Sequence, residues 1–309
     1  MVSTYETNNP PANLPEDDQH DRVAWTKGGS NRDVAELLGV SPVRITGDLA
    51  TSCIDNRIRL LVTKRFPRSD LVTNVVPVGF DASAITSVAV AVGDGPHSPR
   101  AVTIGGIVAA SLGVAGTVIT AYATPDEREI AQQRLDRLTA NGSTFETLAI
   151  ETPDPRSITE HLSRETLLVH GVAGGSFIDR HFTGTGNRLT SRARGCVLVV
   201  RDAPQRCFQI MASPTGFALA PELLVGDALA VMSHPFAPVV AAHRLLGVVR
   251  SETLAQVESS STIEPHIETV AVCDRCDPTD MVISERERLG PGPLPVVDHE
   301  HNLVGVILA

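Results

Sequence analysis

Thr166-Leu167-Leu168-Val169-His170-Gly171-Val172-Ala173-Gly174, followed after nine residues by Gly184-Thr185, is the stretch that sets the reading of this chain. The apolar run before Gly171 has the length and bulk of a buried strand. The glycines after it admit positive φ and a close approach of the backbone to a ligand. A helix starting near Gly184 adds backbone N–H groups and partial positive charge. Strand, glycine turn and helix together place amides around a phosphate, and the Thr185 hydroxyl adds one more hydrogen bond. Cys196-Val197-Leu198-Val199-Val200 follows as another apolar strand.

Working outward, strand and helix patterns alternate from Thr86 to Asp202. Strands are expected at 88–92, 117–121, 147–150, 167–170 and 197–200. Helices are expected at 98–112, 125–140 and 157–163. Ser98-Pro99 fits an N-cap and first-turn pair, and Gly113 a C-cap. Ile130, Leu135 and Leu138 share one helical face. This alternation predicts an α/β fold, an open parallel five-stranded sheet with helices on both faces. Ligands of such sheets sit at the carboxyl ends of the strands, where the Gly171 loop departs.

The spacing G-x2-G-x9-G-[S/T], with its closing strand, resembles the nucleotide loop of the ATP-binding universal stress proteins. The order and length of residues 86–202 resemble that domain too. The resemblance implies an adenine nucleotide alpha hydrolase-like fold that binds ATP or AMP, with or without Mg. It implies contacts from Gly171, Gly174, Gly184, Thr185, Gly186 and Asn187, with Asp94 facing the adenine. Ser176, Arg180 and His181 lie between the loop glycines, and Arg188 follows Asn187. Arg180 reads either as a phosphate partner or as an exposed turn residue beside Asp179. The loop Gly93-Asp94-Gly95-Pro96 departs from the family, because the serine that usually follows Asp-Gly is missing. That shortened form is more like stress-protein domains attached to transport proteins. Val78-Gly79-Phe80-Asp81-Ala82-Ser83 imitates the motif but precedes a strand-like segment, so it is set aside. Some members of the family hydrolyse ATP slowly. No general base can be assigned here and no catalytic residue is named.

Residues 203–309 contain an internal repeat. Pro238-Val239-Val240 and Leu246-Gly247-Val248-Val249 form one half, and Pro295-Val296-Val297 and Val304-Gly305-Val306-Ile307 the other. The repeat resembles a pair of CBS domains, tandem modules that often hold adenine nucleotides between their halves. In that family a hydroxyl residue, then an aspartate, follows the first Gly-Val-Val strand. Here Arg250 and Thr253 stand there, and in the second half those positions would fall beyond Ala309. The resemblance therefore implies a structural or dimerising role before a ligand-binding one.

Composition narrows the function classes. A net charge of −10 disfavours nucleic acid and anionic membranes as partners. No apolar run has the length of a membrane span; residues 104–120 come closest, interrupted by glycines. The 42% hydrophobic and 4% aromatic content points to cores of Val, Leu, Ile and Ala. Five scattered cysteines and no basic-then-apolar leader fit a reducing cytoplasm. The Cys273-Asp274-Arg275-Cys276 pair lacks the second pair that a zinc site needs. Residues 1–30 read as a polar, disordered tail that Trp25 could anchor, and 31–85 as an unassigned segment. Within it, Asn31–Pro42 reads as a short helix ended by Gly39; a helix-turn-helix is the alternative, opposed by the strand-like residues that follow.

The resulting expectation is a cytoplasmic regulatory or sensor protein. It binds an adenine nucleotide at residues 171–187, and its CBS-like pair acts within a homodimer. The alternative is an interaction module that binds no nucleotide and regulates a transporter or another protein.

Overall fold

The computed structural model describes residues 22–39, 41–140, 145–152, 154–172, 185–282 and 292–308, and of 155, 156 and 185–188 the backbone alone. Two compact units lie within residues 20–204 and 205–309.

The first unit is built on one nine-stranded sheet, not the five-stranded sheet expected. Strands β1 (Val23–Trp25), β2 (Val43–Arg44), β3 (Leu60–Val62) and β4 (Thr73–Val78) form a first block. Strands β5 (Ser87–Ala91), β6 (Ala115–Tyr122), β7 (Glu146–Glu151), β8 (Thr166–Gly171) and β9 (Val197–Arg201) form a second. The order is β2-β1-β3-β4-β9-β8-β5-β6-β7. Every neighbouring pair is parallel except β4 and β9, which run antiparallel at the seam, with Val75 opposite Val200. The five expected strands are thus present as one parallel block. The sheet is larger because β4 pairs along β9, from Asn74 opposite Arg201 to Val78 opposite Val197, and covers an edge that would otherwise lie open. Val23–Trp25, read as the end of a polar tail, is a strand of that added block.

Read outward from the seam, the two blocks follow the same chain order. The fourth, third, first and second strands of the first block (β4, β3, β1, β2) match β9, β8, β5 and β6. The first block lacks only a counterpart of β7. Helix α1 (Gly29–Leu38) follows β1 as α3 (Ser98–Leu112) follows β5. In α1, Asn31, Val34, Ala35 and Leu38 are buried, a one-sided helical stripe. In α3, Ala101, Ile104, Gly105, Val108 and Ala109 do the same. The two helices meet, and Ser111 Oγ donates to Leu37 O at 2.9 Å. Helix α2 (Leu49–Asp55) follows β2, so α1 is succeeded by a strand and the helix-turn-helix alternative is excluded.

One core joins both blocks on one face of the sheet. Val34, Leu38, Val62 and Val75 pack with Val90, Ile104, Leu135 and Val200. Leu135 belongs to helix α4 (Arg128–Thr139), preceded by a 3-10 turn at Pro125–Glu127. The opposite face packs Ala91, Ile119 and Val199 against Ile158 and Leu189. Leu189 lies on helix α5 (Thr185–Arg192) and Ile158 in a 3-10 helix at Pro155–His161. Gly113 caps α3 with a left-handed φ of 67°. Ser98, expected as the N-cap, is inside α3. Its hydroxyl turns back to accept from Gly93 N and donate to Gly93 O, at 3.2 and 2.9 Å.

The second unit holds two hairpins of one design. Strands β10 (Phe236–Ala241) and β11 (Arg244–Arg250) pair antiparallel, as do β13 (Leu294–Val297) and β14 (Leu303–Ile307). Both registers slip at the second valine of Pro-Val-Val. Val239 faces Gly247 and Val240 faces Leu245; Val296 faces Gly305 and Val297 faces Leu303. Strand β12 (Cys273–Asp274) adds parallel to β13. Short helices α6 (Cys207–Ile210), α7 (Val225–Val231) and α8 (Ser251–Leu254) and a 3-10 turn at Glu264–His266 complete the described elements of this unit.

Candidate functional site

In the second block the chain leaves β5 toward β6 on one side and returns to β8 on the other. Connections diverging at the carboxyl ends of adjacent strands open a crevice. A cavity of about 590 Å³ lies there, within the range of nucleotide-sized ligands. Its floor is the ends of three strands: Ala91 and Val92, Thr120 to Tyr122, and His170 to Val172. The Gly93-Asp94-Gly95 turn and Ser98 form one rim. Glu127, Ile130, Ala131 and Arg134 of the α4 region wall one side, and Ile158 and Leu189 the other. Ile130 therefore faces the crevice, 58% exposed, instead of joining Leu135 in the core.

The polar groups are few and held in place. Arg134 Nε donates to Asp94 Oδ1 at 2.8 Å and Nη2 to Asp94 Oδ2 at 2.6 Å. Its Nη1 donates to Thr120 Oγ1 at 3.1 Å, and Thr120 in turn donates to Val92 O at 3.0 Å. The Arg134 side chain is only 12% exposed, that of Asp94 79%. An ion pair so exposed on one side adds little stability; its effect is to orient both groups. Glu127 Oε2 accepts from Ala123 N, which ties the start of α4 to the end of β6.

His170 is buried at the end of β8. Its Nδ1 donates to Gly171 O and its Nε2 accepts from the Thr190 hydroxyl, both at 2.9 Å. Burial holds its pKa below the ordinary value, with the Gly171 bond opposing, so the ring is neutral. It joins the strand that precedes residues 173–184 to the helix that follows them.

Among the residues singled out by sequence, Asp94 and Gly171 both line the cavity. Gly171 must be glycine: a Cβ there would lie 2.8 Å from His97 Cβ and 3.2 Å from the His97 carbonyl carbon. Thr185, Gly186 and Asn187 open helix α5, whose first turn is described by its backbone. Gly174, Gly184, Ser176, Arg180 and His181 lie outside the described residues. Sequence reasoning missed Arg134, Thr120 and His170. The signal for Arg134 was its phase on α4: three residues after Ala131 and four before Leu138, it belongs to the inward stripe.

Among the described residues no group of three or more His, Cys, Asp or Glu is placed to hold a metal ion. No described helix is long and apolar enough to cross a membrane. In the second unit Arg250 Nε meets Glu268 Oε2 at 3.2 Å, and Thr253 Oγ1 donates to Glu268 Oε1 at 3.4 Å. The two residues that depart from the CBS pattern thus share one carboxylate.

No protein-family model matches the chain, and no curated protein does. Solved structures that it is similar to are CBS domain pairs, each over about a third of the chain. The soluble part of a magnesium transporter is 18% identical, with a TM-score of 0.31, over 34% of this chain and 44% of its own length. A CBS domain pair/ACT domain protein from Thermotoga maritima is 18% identical, TM-score 0.32, over 33% of this chain and 88% of its own. A CBS domain pair in complex with 5′-methylthioadenosine and S-adenosyl-L-methionine is 20% identical, TM-score 0.30, over 34% and 90%. None of these names a universal stress protein domain, so that reading rests on the loop motif and the parallel block.

Proposed function

We propose that residues 86–202 bind an adenine nucleotide, ATP or AMP, and that the chain is a cytoplasmic regulatory or sensor protein. The observation that carries this reading is the cavity at the strand ends, which has Asp94 on its rim and Gly171 in its floor. The phosphates lie toward Gly171 and the start of α5, because a helix N-terminus presents backbone N–H groups and partial positive charge to an anion. The base lies toward β6 and α4. Residues 203–309 act as a CBS-like regulatory or dimerising module; the repeated hairpins with one shared register slip support that assignment. A ligand switches such a protein only through unequal affinity for two conformations.

Equilibrium binding of labelled ATP tests the reading. Saturable binding that is lost in Gly174→Val and Gly184→Val supports it. A second reading, an interaction module without nucleotide that regulates a transporter or other partner, is favoured by one observation: Arg250 and Thr253 already satisfy Glu268 within the protein. Absence of binding at millimolar ATP selects that module.

A further inference from the structure

The Asp94–Arg134 pair lines the cavity and has unspent hydrogen-bonding capacity. The three bonds of Arg134 use one N–H on each guanidinium nitrogen. One N–H on Nη1 and one on Nη2 remain without a partner among the described residues. The side chain is nearly buried, lines the cavity and is fixed at both ends of its fork, so these donors are preoriented. Asp94 spends one lone pair of each oxygen on Arg134 and keeps others for a ligand donor. The positive charge of Arg134 is matched by the negative charge of Asp94. The pair therefore suits a neutral edge carrying an acceptor beside a donor, and not a second phosphate.

We propose that Arg134 is a specificity-determining residue, which donates to ring nitrogen N1 of a bound adenine while Asp94 accepts from the exocyclic amine. This rests on the nucleotide reading above. With phosphates toward Gly171 on β8, the base reaches across β5 to the β6 and α4 side. The edge farthest from the sugar, which carries N1 and the amine, then meets Arg134 and Asp94. The site is thereby built to sense the N1 edge by side chains held in advance of binding.

Atom deletion in the ligand tests this on the full chain without altering the protein. Binding of ATP, 1-deaza-ATP and 7-deaza-ATP is measured by titration calorimetry. Loss of one hydrogen bond to a charged donor weakens 1-deaza-ATP by about tenfold or more against ATP, and leaves 7-deaza-ATP close to ATP. In Arg134→Met the difference between ATP and 1-deaza-ATP disappears; Arg134→Lys, which keeps charge but loses the fork, restores only part of it. Thermal melts of both variants establish that they fold. The proposal is overturned if 1-deaza-ATP binds wild type as ATP does, if its deficit survives in Arg134→Met, or if 7-deaza-ATP carries the deficit instead. Absence of ATP binding by wild type is a different result, and overturns the nucleotide reading itself.

Discussion

The two blocks of the nine-stranded sheet share a wiring diagram and differ in what stands at their strand ends. In the first block, β1, β2 and β3 have three, two and three residues; in the second, β5, β6 and β8 have five, eight and six. The first block's switch point, between β1 and β3, is bordered by Lys27 and Lys64, both exposed and the only lysines in the chain. The second block's is walled by α4 and carries the Asp94–Arg134 pair. Short strands suffice to extend a sheet and complete its core. A deep crevice also needs strands that run past the core and a helix of α4's twelve residues to overhang them. Helix α2, which follows β2 as α4 follows β6, has seven.

The sharpest way to break the comparison is at the seam that joins its two sides. Val75 is fully buried opposite Val200, in the core common to both blocks. Val75→Asp puts an unpaired charge there and costs more than about 4 kcal/mol, enough to unfold an ordinary domain. Urea denaturation followed by circular dichroism measures it. A native-like midpoint in that variant would mean the seam carries no weight. Leu60 on β3 and Leu167 on β8 then compare like with like, since both are buried at matching places. Alanine at either costs about 2–5 kcal/mol. Because the core spans the seam, both variants shift a single transition. An early melting phase in Leu60→Ala alone would show that the first block folds separately.

The same difference in strand length governs what the sequence discloses. Strands β5, β8 and β9 were legible because runs such as 167–170 and 196–200 are buried on both faces and read as nearly unbroken apolar stretches. The C-terminal end of helix α3 was legible to the residue, since Gly113 closes it. Strands of two or three residues have no periodicity to read, so β1 and β2 fell within stretches read as a tail and an unassigned segment. The antiparallel seam is a choice of partner, which no local pattern encodes. At the candidate site, Asp94 and Gly171 came from motif spacing, whereas Arg134 needed the rotation of α4, and on a polar helix three apolar positions fix that loosely. Ser98 was misjudged as a cap because a serine before proline scores well locally, while its hydroxyl had two bonds to make with Gly93.

Acid separates the blocks next, because their matching strands end differently. Leu60-Leu61-Val62 leads to Thr63, and Leu167-Leu168-Val169 to His170. Thr63 Oγ1 donates to Arg65 O and does not titrate. Burial depresses the His170 pKa below 6.5, so in the window beneath that value the unfolded chain takes up a proton that the folded chain refuses. Stability from this group is present above 6.5 and falls as pH drops through that window. Melting temperature against pH therefore declines on the acid side in wild type. His170→Thr, which installs the first block's residue, flattens this part of the profile; an unchanged slope would assign it to other groups.

The smallest effects come from the glycines that end the matched helices, and they discriminate by their rescue. Gly113 after α3 has φ 67° and open space where a Cβ would stand, so Gly113→Ala suffers from backbone handedness alone, about 1 kcal/mol. Gly39 after α1 is extended, with φ −153°, and its Cβ would lie 2.7 Å from Val23 Cγ2. Gly39→Ala therefore suffers from crowding against β1, about 1–2 kcal/mol. Asparagine, which tolerates the left-handed region, recovers part of the loss at 113. At 39 asparagine is worse than alanine, and Val23→Ala is what relieves the contact. Chemical denaturation of these variants tells the two causes apart: recovery by asparagine at both positions would mean that α1 ends as α3 does, and that the matched helices differ less than their caps imply.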